Sequence, residues 1–178
     1  MILTWPFTPQ PLADQDFRLV PWNRTSDIPG VVHDLTASSQ DTLMLEFTQV
    51  PENYTEAMAE SFLSDQQAVR WAITVENRYC GNIEFRLESE ESRIASVGYS
   101  ISPWARGQGL AARALKLAAP QAFAQGVFRL ELRAAVHNQP SRATAEKAGF
   151  TFEGVARAGE QLRGKIHDLA VYSRLATD

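Results

Sequence analysis

The segment "RGQGLA", Arg106 to Ala111, places a cation and two glycines directly ahead of an Ala/Leu-rich helical pattern. A helix start presents unpaired N–H groups and the positive end of its dipole, so such a turn is a natural seat for an anion like phosphate. Gly109 lacks a Cβ, which lets the amides of Gln108, Gly109, Leu110 and Ala111 come close to a pyrophosphate. Ala111 keeps the next turn thin, and Arg106 adds a charge that a diphosphate can use. The plain alternative is an ordinary helix start with a surface arginine.

Three phosphate motifs compete for this turn. A P-loop requires Lys-Ser/Thr after its last glycine, and Leu110-Ala111 stands there instead. Gly107, Gly109 and Ala112 match the dinucleotide spacing, but Pro103 to Arg106 separate them from the preceding strand. The acid expected about 20 residues on is Glu131, mid-strand, and the repeated parallel units of that fold are missing. The pattern Arg/Gln-x-x-Gly-x-Gly/Ala, met by Arg106, Gly109 and Ala111, is the one that remains.

Other reactive side chains form no constellation of their own. The three histidines, His33, His137 and His167, are scattered without metal-ligand spacing, so no metal is expected. His137 abuts Asn138 just past a strand and is read as a turn histidine, while Cys80 is a turn bystander. Trp5, Trp22, Trp71 and Trp104 read as packing rather than as a stacking platform. A formal charge of −4 over 178 residues argues against broad affinity for nucleic acid or an anionic membrane. One cysteine excludes an internal disulfide framework. No secretory signal or membrane-spanning run is present, and the expectation is a cytoplasmic, single-domain protein over residues 1–178, monomeric or homodimeric.

The elements that must position the turn follow from the hydrophobic period. Residues 1–16 hold three of the nine prolines, with Pro21 close behind, and read as a loosely structured lead-in. "DFRLVPW" is a first strand, residues 26–38 a weak helix, and "ENYTEAMAESFLSDQQ" a stronger one capped by Asn53. "VRWAITVE", "NIEFRLES" and "IASVGYSIS" alternate and form an antiparallel meander joined by "ENRYCGN" and "ESEESR". A helix from about Gly109 to Gln125, bent or ended early by Pro120, leads by a right-handed crossover to the parallel strand "FRLELRAAV". "NQPSRATAEKAGF" is a short helix starting near Asn138, and two last strands flank "GEQLRGK". The class is therefore α+β, a mixed and mostly antiparallel six- to seven-stranded twisted sheet flanked by about four helices.

With the elements in order, Ser96 to Leu175 resembles the GNAT superfamily of acetyl-CoA-dependent N-acetyltransferases, in its ribosomal-protein (RimJ/RimL-like) branch. The resemblance runs through "SVGYSISPWARGQGLAARAL", "HNQPSRATAEKAGFTFEGVAR" and "HDLAVYSRL", somewhat under half the chain, with "FRLVPW" and "NIEFRL" fitting weakly as earlier strands. It implies a GNAT-like sheet whose two central strands splay around the pantetheine of acetyl-CoA. Tyr99, Ser100 and Ile101 would offer backbone groups in that gap, and Arg106, Gly107, Gln108, Gly109, Leu110 and Ala111 would hold the diphosphate. Asn138 and Ser141 stand where the family binds the pantetheine arm and carries a serine.

Two positions depart from the family. Ala145 replaces a tyrosine that can donate to the departing sulfur, which leaves Ser141 as the donor, with Thr144 a lesser candidate and helix capping as the plain role of Ser141. Ser96 replaces a glutamate poised toward the amine, so a general base must come from Glu84, from the more remote Glu46, or from bulk water. Glu84 is otherwise a solvated strand-face carboxylate. Asp168 and Tyr172 match family positions and are read as stabilising the end of the sheet. The implied activity is acetyl transfer from acetyl-CoA to a primary amine, a protein N-terminus or peptide-like amine first. A small-molecule amine (amino sugar, polyamine, drug) and a non-catalytic acyl-CoA-binding regulator are the alternatives.

Overall fold

The computed structural model describes residues 2–178. Its strands are β1 (Leu12–Asp14), β2 (Phe17–Pro21), β3 (Val69–Val75), β4 (Arg78–Ser89), β5 (Ile94–Ile101), β6 (Arg129–Ala135), β7 (Thr151–Leu162) and β8 (Lys165–Leu175). The helices are α1 (Val31–Ser39), α2 (Thr42–Phe47), α3 (Glu56–Ser64), α4 (Leu110–Ala124) and α5 (Gln139–Lys147), with short 3₁₀ segments at Trp22–Asp27 and Pro103–Ala105. All eight strands form one sheet in the order β1-β2-β3-β4-β5-β6-β8-β7, in which only β5 and β6 run parallel. The α+β expectation holds, with one strand and one helix more than the hydrophobic period suggests.

The extra strand lies in the lead-in. Leu12–Asp14 pairs with β2, the Thr4 amide donates to the Gln125 carbonyl, and the Trp71 indole donates to the Gln10 carbonyl. Phe7 is buried. The proline-rich start is thus laid along the sheet and the end of α4 rather than loosely attached. The extra helix, α2, is too short to show a period, but Asp41 caps it by accepting from the Leu43 and Met44 amides. Thr55, not Asn53, caps α3, accepting from the Met58 amide. Asn53 instead takes a positive φ of 54°.

The turn after β3 is tighter than expected. Only Glu76 and Asn77 lie between the strands, both at positive φ, the geometry of a two-residue hairpin turn. Cys80 therefore falls inside β4 and is buried, where burial pushes its thiol up. Pro120 does not end α4, because it and Lys116, whose carbonyl it leaves without a partner, are both exposed to water. Along the opposite stripe, Ala111, Ala114, Ala118 and Ala122 are small and buried, so α4 lies close against the sheet. The larger core fills that side, around Trp71, Ile83, Phe85, Leu115 and Leu130. A second cluster around Trp22, Leu35, Tyr54 and Tyr79 fills the other, under α1 and α3.

The centre of the sheet opens. Strands β5 and β6 pair from Ile94↔Arg129 to Val97↔Leu132 and no further. Beyond that point β5 stays with β4 as far as Ile101↔Gly81, while β6 stays with β8 as far as Ala135↔Leu169. Each strand follows its antiparallel neighbour, and the twist of the two half-sheets draws them apart. Gly81 makes the β4 side possible, since a Cβ there would lie 2.1 Å from the Ser100 carbonyl oxygen.

Candidate active site

The gap between β5 and β6 continues into a cleft of about 1340 Å³, floored by both strands and walled by α2, the start of α4, the start of α5 and β7. Of the sequence-expected binding residues, Tyr99, Ser100, Ile101, Arg106, Gly107, Gly109, Leu110, Ala111, Asn138 and Ser141 all line it. Gln108 is exposed and does not line it.

Main-chain groups reach the cleft in alternation. The Ser102 amide donates to the Cys80 carbonyl, and the Ser100 carbonyl faces Gly81, so both belong to β4. Strand alternation then turns the N–H and C=O of Tyr99 and Ile101 into the gap, where β6 no longer meets them. The main-chain groups of Ser100, which also lines the cleft, are thereby turned to β4 rather than offered to the gap. At the far end, Gly107 and Gly109 take left-handed φ values of 77° and 68°, which L side chains rarely adopt. No side chain caps α4, and a Cβ built on Gly109 meets nothing within 4 Å. An open space in front of uncapped helix amides is what a diphosphate requires, and the residues fit that group.

Arg106 is placed differently from the expectation. Its Nη2 lies 2.5 Å from Asp41 Oδ2, and that guanidinium holds the Asp41 carboxyl below its ordinary range. The arginine thus ties the turn before α4 to the cap of α2. Asn138 also has local work: its Oδ1 accepts from the Ser141 amide at 3.2 Å and caps α5. The Ser141 hydroxyl is left free of capping. It shares a hydrogen bond of 2.6 Å with the Tyr99 hydroxyl, a contact across 42 residues of sequence. Burial raises the Tyr99 phenol, and the bond to Ser141 pulls it the other way. Ala145 is fully buried in the core, so that position offers no room for a phenol.

Glu84 does not reach the cleft. Its Oε2 lies 2.6 Å from Nη2 of the fully buried Arg70 and its Oε1 lies 2.7 Å from Nε of Arg86. Register sets this arrangement, since Arg70 is the β3 partner of Glu84. Its role as a base is corrected to that of counter-ion for a buried cation. Three other carboxylates line the cleft, Glu46 on α2, Glu88 on β4 and Glu160 on β7. Sequence reasoning reached only Glu46 and had set Glu160 inside a turn. The observed turn is just Arg163-Gly164, and the remainder of "GEQLRGK" belongs to the two strands.

The histidines regroup. His137 and His167 both line the cleft, their tilted rings 5.2 Å apart between centroids, and Phe47 packs at a tilt against His137 at 5.3 Å. His33 stays apart, exposed on α1. Tyr172 accepts from Arg142 and donates to Glu146, and Asp168 accepts from the Ala158 amide at 2.7 Å, so both brace the sheet as expected. Among the described residues no cluster of three or more metal-ligating side chains occurs, and no helix is long and apolar enough to cross a membrane.

Comparison with known proteins agrees with this geometry. A family model described as an acetyltransferase (GNAT) domain matches residues 16–151. The Bacillus subtilis (strain 168) protein named "Putative ribosomal N-acetyltransferase YdaF" is 33% identical over 113 residues, 63% of this chain. That match spans 62% of the relative's own length. A ribosomal L7/L12 alpha-N-protein acetyltransferase (RimL), solved in complex with coenzyme A, superposes with a TM-score of 0.79 at 22% identity, over 92% of this chain and 96% of that one. The ribosomal-protein-S5-alanine acetyltransferase from Vibrio fischeri superposes with a TM-score of 0.81 at 16% identity, over 96% and 98%. At those identities the two structures speak to the fold alone.

Proposed function

This chain belongs to the GNAT family of acetyltransferases, and on that premise we propose that it moves an acetyl group from acetyl-CoA to the α-amine of a protein N-terminus or peptide-like acceptor, by direct attack in a ternary complex. The observation that carries the reading is the open seam between β5 and β6, with main-chain groups of Tyr99 and Ile101 turned into it and the uncapped start of α4 at its end. Gly107, Gly109, Leu110 and Ala111 would hold the diphosphate through their amides, and Tyr99 and Ile101 the pantetheine. Bound there, acetyl-CoA supplies an activated acetyl thioester.

The chain's own groups then do the following. An N–H of Tyr99 or Ile101 donates to the oxygen that gains charge during attack. The Ser141 hydroxyl, held by Tyr99 at 2.6 Å, is the proton donor for the departing sulfur. Glu46, Glu88 and Glu160 give the acceptor end a negative lining that favours an ammonium group. The name borne by the Bacillus relative, "Putative ribosomal N-acetyltransferase YdaF", favours a peptide amine over a small molecule.

Gly109→Val provides the test. A branched side chain at this φ of 68° would occupy the open space over the helix amides. Calorimetric titration with coenzyme A should show affinity at least tenfold weaker than native, with Tm lowered by about 4–8 °C, the shift for roughly 2 kcal/mol of left-handed backbone strain in a domain of this size. Native protein should release free thiol from acetyl-CoA with Ala-, Ser- or Met-initiated peptides. Unchanged affinity in the variant would remove the site. Tight coenzyme A binding with no turnover of peptides, spermidine or glucosamine would make the protein a regulator.

A further inference from the structure

We propose that the neighbouring imidazoles of His137 and His167 form the proton-accepting wall of the acceptor site, an inference that rests on the acetyltransferase reading above. The family's carboxylate position holds Ser96, and Glu84 is committed to Arg70 and Arg86, so the amine must lose its proton to something else. His137 lies two residues past the end of β6, and His167 lies on β8 two residues before Leu169, the partner of Ala135. Both residues therefore stand beyond the point where β5 and β6 part, and both line the cleft. His167 is half-buried and His137 exposed, so an incoming amine can reach them.

Charged side chains from several elements surround the two rings. Glu160 of β7 is the register partner of His167, and Glu46 of α2 lines the same cleft, one residue before Phe47, which packs on His137. Arg133 of β6 also lines the cleft, but its Nε is held by Glu131 at 2.6 Å. Arg142 of α5 bonds to the Val136 carbonyl and the Tyr172 hydroxyl, and Asp168 is turned to the Ala158 amide. An imidazole is better matched than a carboxylate to an α-amine that is partly protonated at neutral pH.

The step balances as follows. The acceptor ammonium gives one proton to an imidazole nitrogen, which passes it to solvent. The freed lone pair forms the C–N bond to the acetyl carbon and the C–S bond breaks. The second proton lost from nitrogen balances the one that sulfur gains by way of Ser141.

The experiment compares two acceptors, an Ala-initiated peptide, whose α-amine is partly protonated at pH 7, and hydroxylamine, which is already neutral there. His137→Gln and His167→Gln are assayed separately with acetyl-CoA. At least one should lower kcat for the peptide by about five- to tenfold, the factor set by the roughly 10–15% of such an α-amine that is neutral at pH 7, while leaving hydroxylamine turnover within about twofold and the KM for acetyl-CoA unchanged. The peptide deficit should shrink as pH rises and more amine arrives neutral. Equal losses with both acceptors would make the pair structural, and no loss with either would overturn the proposal. If native protein acetylates hydroxylamine and spermidine but no peptide, the peptide-acceptor reading fails, and spermidine, protonated at pH 7, serves as the charged acceptor for the same comparison. Turnover by native protein of no protonated amine at all would overturn the proposal as well.

Discussion

Ser141 and Tyr99 show how much a single contact can decide. Asn138 caps α5, which leaves the Ser141 hydroxyl facing the cleft with one partner, the Tyr99 phenol. We expect Ser141→Ala to slow turnover about 10–100-fold and Tyr99→Phe to slow it less. The double variant should be no slower than Ser141→Ala alone, because groups that act as one unit do not add. Single-turnover release of free thiol measures all three. Multiplying losses would mean that the two side chains act separately, and a normal rate in Ser141→Ala would remove its donor role. Tyr99 was legible in the sequence for its backbone alone, since nothing local to "GYSIS" reports a partner on α5. Glu84 failed for the same reason in reverse, because its strand face was readable while the buried Arg70 across from it was not.

At the scale of elements, the cleft depends on how the β7–β8 hairpin is held. Arg163 at its tip donates to the carbonyls of Thr48 and Val50, in the segment between α2 and α3, and pairs with Glu52 at 3.5 Å. The hairpin brings Glu160 to the cleft, and α2 brings Glu46 and Phe47, so this contact joins two walls of the acceptor side. Arg163→Ala should raise the KM for the amine several-fold and leave the KM for acetyl-CoA and the melting temperature nearly unchanged, since exposed polar contacts contribute about 0–1 kcal/mol. Equal changes in both KM values would show that the strap supports the whole cleft. The opposite anchor is the Arg106–Asp41 pair, which fixes the start of α2 to the turn before α4. The sequence suggested a cation for phosphate at Arg106, but α2 itself was too short to be read, so its carboxylate went unseen.

Across the whole molecule, one end of the sheet is pinned and the other is open. At the closed end Arg129 of β6 binds Glu153 of β7 at 2.6 Å, and Ser173 of β8 donates to the same carboxylate at 2.7 Å. That clamp joins β6, β7 and β8 beside the first parallel pair of the seam, Ile94↔Arg129, at the end opposite the opening. Hydrogen bonds from Arg129 and then Ser173 hold the Glu153 carboxyl down at about 2. A lowered carboxyl stabilises the fold above its ordinary range and ceases to do so as pH falls through the lowered value. Glu153→Gln should therefore melt below native at neutral pH, with the gap narrowing from about pH 5 down to about pH 3. Melting curves across that range check it, and a gap independent of pH would assign the loss to packing.

By itself the sequence determined the class of the sheet, the parallel crossover through α4, the glycine turn ahead of α4 and the residues that frame the seam, because each is encoded over a few neighbouring positions. Period two, period 3.6, a glycine at a helix start and Asn-x-x-Ser are local signals, set by backbone sterics and solvent contact. Which side chains meet was decided by tertiary structure. The approach of His137 to His167, the bond from Tyr99 to Ser141, the capture of Glu84 by Arg70 and the arrival of Glu160 at the cleft all depend on strand register. A register is a sum over many weak cross-strand contacts. A one-residue slip would reverse every one of those orientations while leaving the hydrophobic pattern of each segment, taken alone, unchanged.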